Sequence, residues 1–184
     1  MNIISFFRHQ ISMAFYDINH RTIGILLQYT INVLPDLFVF IPLRVLILKL
    51  AGVKIDQSSG LVIRKNIFIE YPRNLILQEG VQININCYIG NNEKVTIGKN
   101  SRLAAGVMIL TVMHKGINFK GADIWTPVII GEGVHIGAAS IILPGTVIGN
   151  NTIIGPGSVV SGVLKEDAIY MGHPARYIGV RDDL

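Results

Sequence analysis

Residues 128–163 read VIIGEG VHIGAA SIILPG TVIGNN TIIGPG SVVSGV, six blocks of six. An aliphatic residue returns at Ile130, Ile136, Ile142, Ile148, Ile154 and Val160, and glycine follows it at 131, 137, 149 and 155. Four places after each aliphatic residue stands a small or β-branched one: Val134, Ser140, Thr146, Thr152, Ser158. A period of six fits neither the 3.6 of a helix nor the 2 of a hairpin strand. It fits a flat side of extended residues followed by a two-residue corner, with three sides closing a triangular coil. The aliphatic residue then points inward and stacks on its counterpart one coil away, at about 4.8 Å. The small residue also points inward, near a corner, and the glycine is expected to relieve the turn.

The same register runs upstream through Ile55, Ile63, Ile69, Leu77, Ile83, Ile89, Ile97, Leu103 and Ile109. Two-residue slips fall near Ser58, Arg73 and Asn92, with turn chemistry at Tyr71-Pro72 and Asn91-Asn92. Together these positions predict an all-β parallel β-helix of about five coils, roughly 25 Å tall. Cys87 falls on an inward position and reads as core.

The remainder divides around this repeat. Residues 1–52 are expected to form a short helical segment, 53–165 the β-helix and 166–184 an extended or helical C-terminal tail. The chain has 184 residues, half of them apolar, a net charge of +4 and one cysteine. One cysteine excludes a disulfide framework and suits a reducing compartment. The positive charge leans toward anionic partners, but no run of mixed basic and aromatic residues points to nucleic acid. Residues 1–10 lack the pattern of a secretory signal. The apolar stretch at 22–50 has a charge-free run of only about 14 residues, short of the roughly 18 that span a bilayer. Pro35 and Pro42 are expected to break it into short helices. These would either cap the open end of the coil, whose raw edge invites aggregation, or lie on a membrane surface.

Of five histidines, His114 stands out by position. It closes the hexad begun at Ile109, and the repeat does not resume until Ile130. The excursion 114–127 carries Lys115, Phe119, Lys120, Asp123 and Trp125. Long interruptions in a regular scaffold are functional or disordered. A histidine at the root of one is either a proton-transfer base or a solvated loop residue.

Four stretches carry a family resemblance: Leu43-Arg44 through Leu50-Ala51-Gly52-Val53-Lys54-Ile55; Ile83-Asn84-Ile85-Asn86-Cys87-Tyr88-Ile89 with Val95-Thr96-Ile97-Gly98; Thr111-Val112-Met113-His114; and Gly172-His173-Pro174-Ala175-Arg176. In these the chain resembles the left-handed β-helix hexapeptide acyltransferases. It looks like their galactoside/maltose acetyltransferase branch, and especially the O-acetyltransferases of capsule and exopolysaccharide synthesis. The resemblance implies a left-handed coil and transfer of acetyl from acetyl-CoA to a sugar hydroxyl of a surface polysaccharide or its precursor. His114 would be the general base, with no covalent intermediate and no metal. Asn84 and Trp125 would lie at the acceptor. Gly137-Ala138 and Gly155-Pro156 would flank the pantetheine arm, Arg176 would meet the adenosine phosphates, and Lys165 would stand in for a lysine that relatives carry just after the Ser-Val-Val stretch. His135 faces outward, as groove wall or plain surface. Relatives often have acidic residues where this chain has Asn91-Asn92. A homotrimer is implied, in the cytoplasm or peripheral to the inner face of the membrane. A small soluble acceptor and a non-catalytic scaffold are the competing functions.

Overall fold

The structure, a computed structural model, describes Ile11 and residues 23–114 and 123–181. Two α-helices whose bounds lie among the described residues precede the coils, α1 (Ile23–Val33) and α2 (Ile41–Ala51). Pro35 lies between them, but Pro42 does not break the second: it sits in its first turn, where the missing N–H costs nothing. Gly52, at φ 104°, closes α2 with its N–H on the Leu48 and Lys49 carbonyls.

Every hexad then contributes a short strand, and the strands stack into three parallel sheets. The first holds β1 (Lys54–Ile55), β4 (Leu75–Leu77), β7 (Val95–Ile97), β12 (Val128–Ile130), β15 (Val147–Ile148) and β18 (Val163–Leu164). The second holds β2 (Val62–Ile63), β5 (Gln82–Ile83), β8 (Arg102–Leu103), β13 (His135–Ile136), β16 (Ile153–Ile154) and β19 (Ala168–Gly172). The third holds β3 (Phe68–Ile69), β6 (Tyr88–Gly90), β9 (Met108–Leu110), β14 (Ile141–Ile142) and β17 (Val159–Val160). Ile130 pairs with Ile148, Ile136 with Ile154 and Ile142 with Val160, so each coil repeats the one before it in register. Across the excursion Ile97 pairs directly with Ile130, and the coil closes as though the intervening loop were absent.

The predicted inward positions from Ile63 to Val160 are all buried, as are Ser140, Thr146, Thr152 and Ser158. The buried hydroxyls are satisfied by corner carbonyls; Ser140 Oγ donates to Gly155 O at 3.1 Å and Thr152 Oγ1 to Lys165 O at 2.7 Å. Parallel pairing runs past 165 to Ile169 and Tyr170. The chain then turns into β20 (Ala175–Val180), an antiparallel strand on the edge of the second sheet and not a helix. Between β9 and β12 a two-stranded hairpin, β10 (Val112–Met113) with β11 (Ile124–Trp125), leaves the coil.

The helices dock on the first coil with polar side chains that act as a missing strand. Gln28 is buried; its Nε2 donates to Ile69 O at 2.8 Å, while the Ile69 N–H donates to its Oε1 at 2.6 Å. Asn32 and Arg44 donate to the carbonyls of Ile67 and Ile63. Edge groups of the lowest coil thus find partners that no further coil supplies. Ile31, Ile41, Val45 and Leu48 are buried behind them. The opposite faces leave Leu26, Tyr29 and Val33 on α1, and Leu43, Leu46 and Leu50 on α2, in solvent.

Candidate active site

The excursion begins where Thr111, fully buried, donates Oγ1 to the Gly90 carbonyl and accepts the Glu93 N–H. Val112 then pairs with Trp125 and Met113 with Ile124. The next positions outward are His114 and Asp123, and their side chains meet, Nδ1 to Oδ1, at 2.5 Å. An aspartate nine residues away in sequence is brought opposite the histidine by antiparallel register alone. A neutral imidazole that donates from Nδ1 to a carboxylate carries its basic lone pair on Nε2. The His114 side chain is 58% exposed. Lys115, Phe119 and Lys120 lie outside the described residues.

A second feature lies on another side of the prism. A groove of about 760 Å³ runs along the outer face of the second sheet. Its floor is a ladder of outward side chains stacked one per coil: Val62, Gln82, Arg102, His135, Ile153 and Ile169. Its rim is the following corner, with Arg64, Asn84, Ala104, Gly137, Gly155 and Pro156. Phe38 closes the lower end, next to Arg64, whose guanidinium carbon is 5.8 Å from the ring centre. Burial, then the charges of Arg181 and Arg102, holds the His135 imidazole below its ordinary pKa, so it is predominantly neutral at neutral pH.

The structure therefore brings Asn84, Gly137, Gly155 and Pro156 into one groove and leaves His114 and Trp125 on the hairpin beyond the third sheet. Ala138 follows Gly137 at the same corner and is exposed. Lys165 and Arg176 lie above the groove, Lys165 donating its N–H to the Tyr170 hydroxyl and Arg176 paired across β20 with Met171. Gly137 owes its identity to the neighbouring coil: a Cβ there would stand 2.5 Å from the Pro156 nitrogen. The sequence led to the expectation that this glycine relieves a turn; its φ is not positive, so it clears a close stack instead. Cys87 is buried, and burial pushes its thiol up to about 11, which leaves it protonated and unreactive. Among the described residues no group of three or more His, Cys, Asp and Glu is placed to hold a metal. The pairing of Asp123 with His114, and the groove positions of Gln82, Arg102 and Arg64, were not read from the sequence. Gln82 and Arg102 were within reach, because the step that placed His135 outward, one residue before the inward aliphatic, places them outward too.

A β-helix of hexapeptides with a histidine at the root of its one long excursion defines a class of acyl-transfer enzymes. Comparison with known proteins agrees. The bacterial transferase hexapeptide family (six repeats) matches residues 127–162. Nodulation protein L of Rhizobium meliloti (strain 1021) is 39% identical over 127 residues, covering 67% of this chain and 69% of that protein. A maltose O-acetyltransferase from Clostridium difficile 630 superimposes with a TM-score of 0.80 at 30% identity, over 90% of this chain and 88% of that one. A galactoside acetyltransferase in complex with coenzyme A superimposes with a TM-score of 0.73 at 25% identity, over 89% and 81%. The chain belongs to the hexapeptide-repeat acetyltransferases.

Proposed function

We propose that the protein is an O-acetyltransferase that moves acetyl from acetyl-CoA to a sugar hydroxyl of a surface polysaccharide or its lipid-linked precursor. The observation that carries the reading is the His114–Asp123 contact at the root of the excursion. In it, Asp123 accepts from Nδ1 and holds the imidazole, and Nε2 removes the proton of the acceptor hydroxyl as its oxygen bonds to the acetyl carbon. Acetyl-CoA, when bound, supplies the thioester. The C–S bond breaks, the sulfur leaves with the electron pair, and the proton on Nε2 passes to it. A backbone N–H or an Asn side chain at the site supplies hydrogen bonds to the carbonyl oxygen as negative charge develops there. Cys87 takes no part, since a buried thiol of pKa about 11 is no nucleophile at neutral pH.

The groove accounts for the two substrates by height. The upper coils, with Gly137, Ala138, Gly155 and Pro156, suit the pantetheine arm, and Lys165 and Arg176 beyond them suit the phosphates. The lower coils, with Asn84, suit the acceptor, and Trp125 flanks it from the hairpin. His114 stands beyond the third sheet and the groove lies on the second, so a complete site needs the hairpin of one copy against the groove of another. A homotrimer with its sites between neighbouring prisms meets that need. The apolar outer faces of α1 and α2 suit contact with the membrane that carries a lipid-linked acceptor.

A thiol-release assay with acetyl-CoA and a panel of glycans tests the mechanism. His114→Ala is expected to lower kcat by about 10²–10⁴-fold, with little change in the KM for acetyl-CoA. Full activity in the variant would remove His114 as the base.

A further inference from the structure

We infer that the acceptor carries an acidic group, a carboxylate or phosphate next to the hydroxyl that is acetylated, and that Arg102 selects it. The inference rests on the acetyl-transfer reading above and names the substrate class of that site.

Three observations lead to it. First, Arg102 is the cation in the middle of the groove floor, paired in register between Gln82 below and His135 above. Among the described residues its guanidinium makes no hydrogen bond and no ion pair. Second, among the described residues no aspartate or glutamate lines the groove. The other guanidinium there, Arg64, is held by Asp36 with Nη2 to Oδ2 at 2.6 Å and Nε to Oδ2 at 2.9 Å. Asp36 is shared with Arg44, so two cations meet one carboxylate and the lower groove keeps an excess of positive charge. The field of Arg102 is also felt by its neighbour, since it helps to hold His135 in the neutral state. A cation left open in a concave, largely apolar wall is a site for an anion, and the planar guanidinium fork matches a carboxylate or phosphate by two parallel hydrogen bonds.

Third, the height of Arg102 separates the acceptor from acetyl-CoA as the source of that anion. β8 belongs to the same coil as β9, which leads into His114, so Arg102 stands at the level of the acyl transfer. The strand that leads to Arg176, β19, is three steps higher along β13 and β16, about 14 Å at one strand spacing per step. The CoA phosphates belong to that upper end, and Arg102 faces what lies at or below the thioester. Gln82 and Asn84, one coil down, add amide groups for the hydroxyls of the same sugar.

The test uses the full chain and matched probes that differ only in charge: methyl glycosides of uronic acids against their methyl esters, and hexose 6-phosphates against the parent hexoses. Binding is read by ligand-observed NMR, with no turnover required. At least one charged probe is expected to bind tenfold or more tighter than its neutral twin, with the ratio falling as salt rises. Arg102→Leu should bring that ratio close to one, and Arg102→Lys, which keeps the charge, should retain most of it. The proposal is overturned if no charged probe beats its twin, or if Arg102→Leu keeps the preference. It is also overturned if the variant loses CoA affinity while the sugar preference stands, since the cation would then serve the CoA phosphates. A charge preference without any thiol release would sink the acetyl-transfer reading alone. Thiol release to neutral sugars without a charge preference would sink this one alone.

Discussion

Asp36 shows how a single residue ties the helices to the coil. Its carboxyl is held below the usual carboxylate range, first by the hydrogen bonds from Arg64, against the opposing effect of burial, and then by the charges of Arg64 and Arg44. A carboxyl whose pKa is depressed on folding binds its proton more readily in the unfolded chain. Its contribution is therefore complete above the ordinary value near 4, and is lost as pH falls through the lower folded value. The melting temperature of the wild type is expected to fall across that acid window. Asp36→Asn should give a flatter profile there and a loss of about 2 kcal/mol at neutral pH, because Arg44 is fully buried and would lose its charged partner. Thermal melts of both proteins from pH 3 to 7 check this; identical profiles would remove Asp36 from the account. None of this cluster was legible in the sequence. Asp36, Arg44 and Arg64 are scattered through two segments, and nothing in their spacing states that they meet. The inward positions were legible, because burial in a coil is enforced every six residues by the same geometry. Gly137 was legible as a residue and not as a reason: a φ-driven turn and a close stack both ask for glycine.

At the scale of elements, α1 and α2 face two ways. Ile41, Val45 and Leu48 sit on the coil, and Leu43, Leu46 and Leu50, at spacings of three and four, stand in solvent. Lys49, in the last turn of α2, and Lys54, just after it, are both exposed. No helix among the described residues is long and apolar enough to cross a membrane, so contact with lipid would be along the surface. Vesicles containing acidic lipid are expected to co-sediment the protein, and Leu43→Glu with Leu46→Glu to release it without lowering the melting temperature. Wild type that stays in the supernatant would leave the outer face without this role. The sequence foretold helices in this segment and offered two uses for them. It could not foretell that Gln28, Asn32 and Arg44 would complete the hydrogen bonds of the lowest coil, since a polar residue in an apolar stretch reads equally as solvent-facing.

For the whole molecule, the period that discloses the coil also hides the site. The inward positions repeat because every coil packs on the next. The outward ladder changes chemistry at each step from Val62 to Ile153 and keeps no period. The His114–Asp123 pair depends on hairpin register, which lies outside the repeat altogether. What the prism does fix is that the hairpin and the groove lie on different sides of one chain. If sites are shared between neighbours, a chain lacking His114 and a chain lacking Asn84 can complement each other. Each site then needs its histidine from an Asn84→Ala chain and its asparagine from a His114→Ala chain. With equal amounts mixed at random that combination occurs in about one site in four. Co-refolded His114→Ala and Asn84→Ala proteins are expected to recover up to about a quarter of wild-type thiol release, from parents that are each nearly inactive. The recovery should follow the mixing ratio and peak at equal amounts. A mixture no more active than its parents would place His114 and Asn84 in the service of the same chain, or of different reactions.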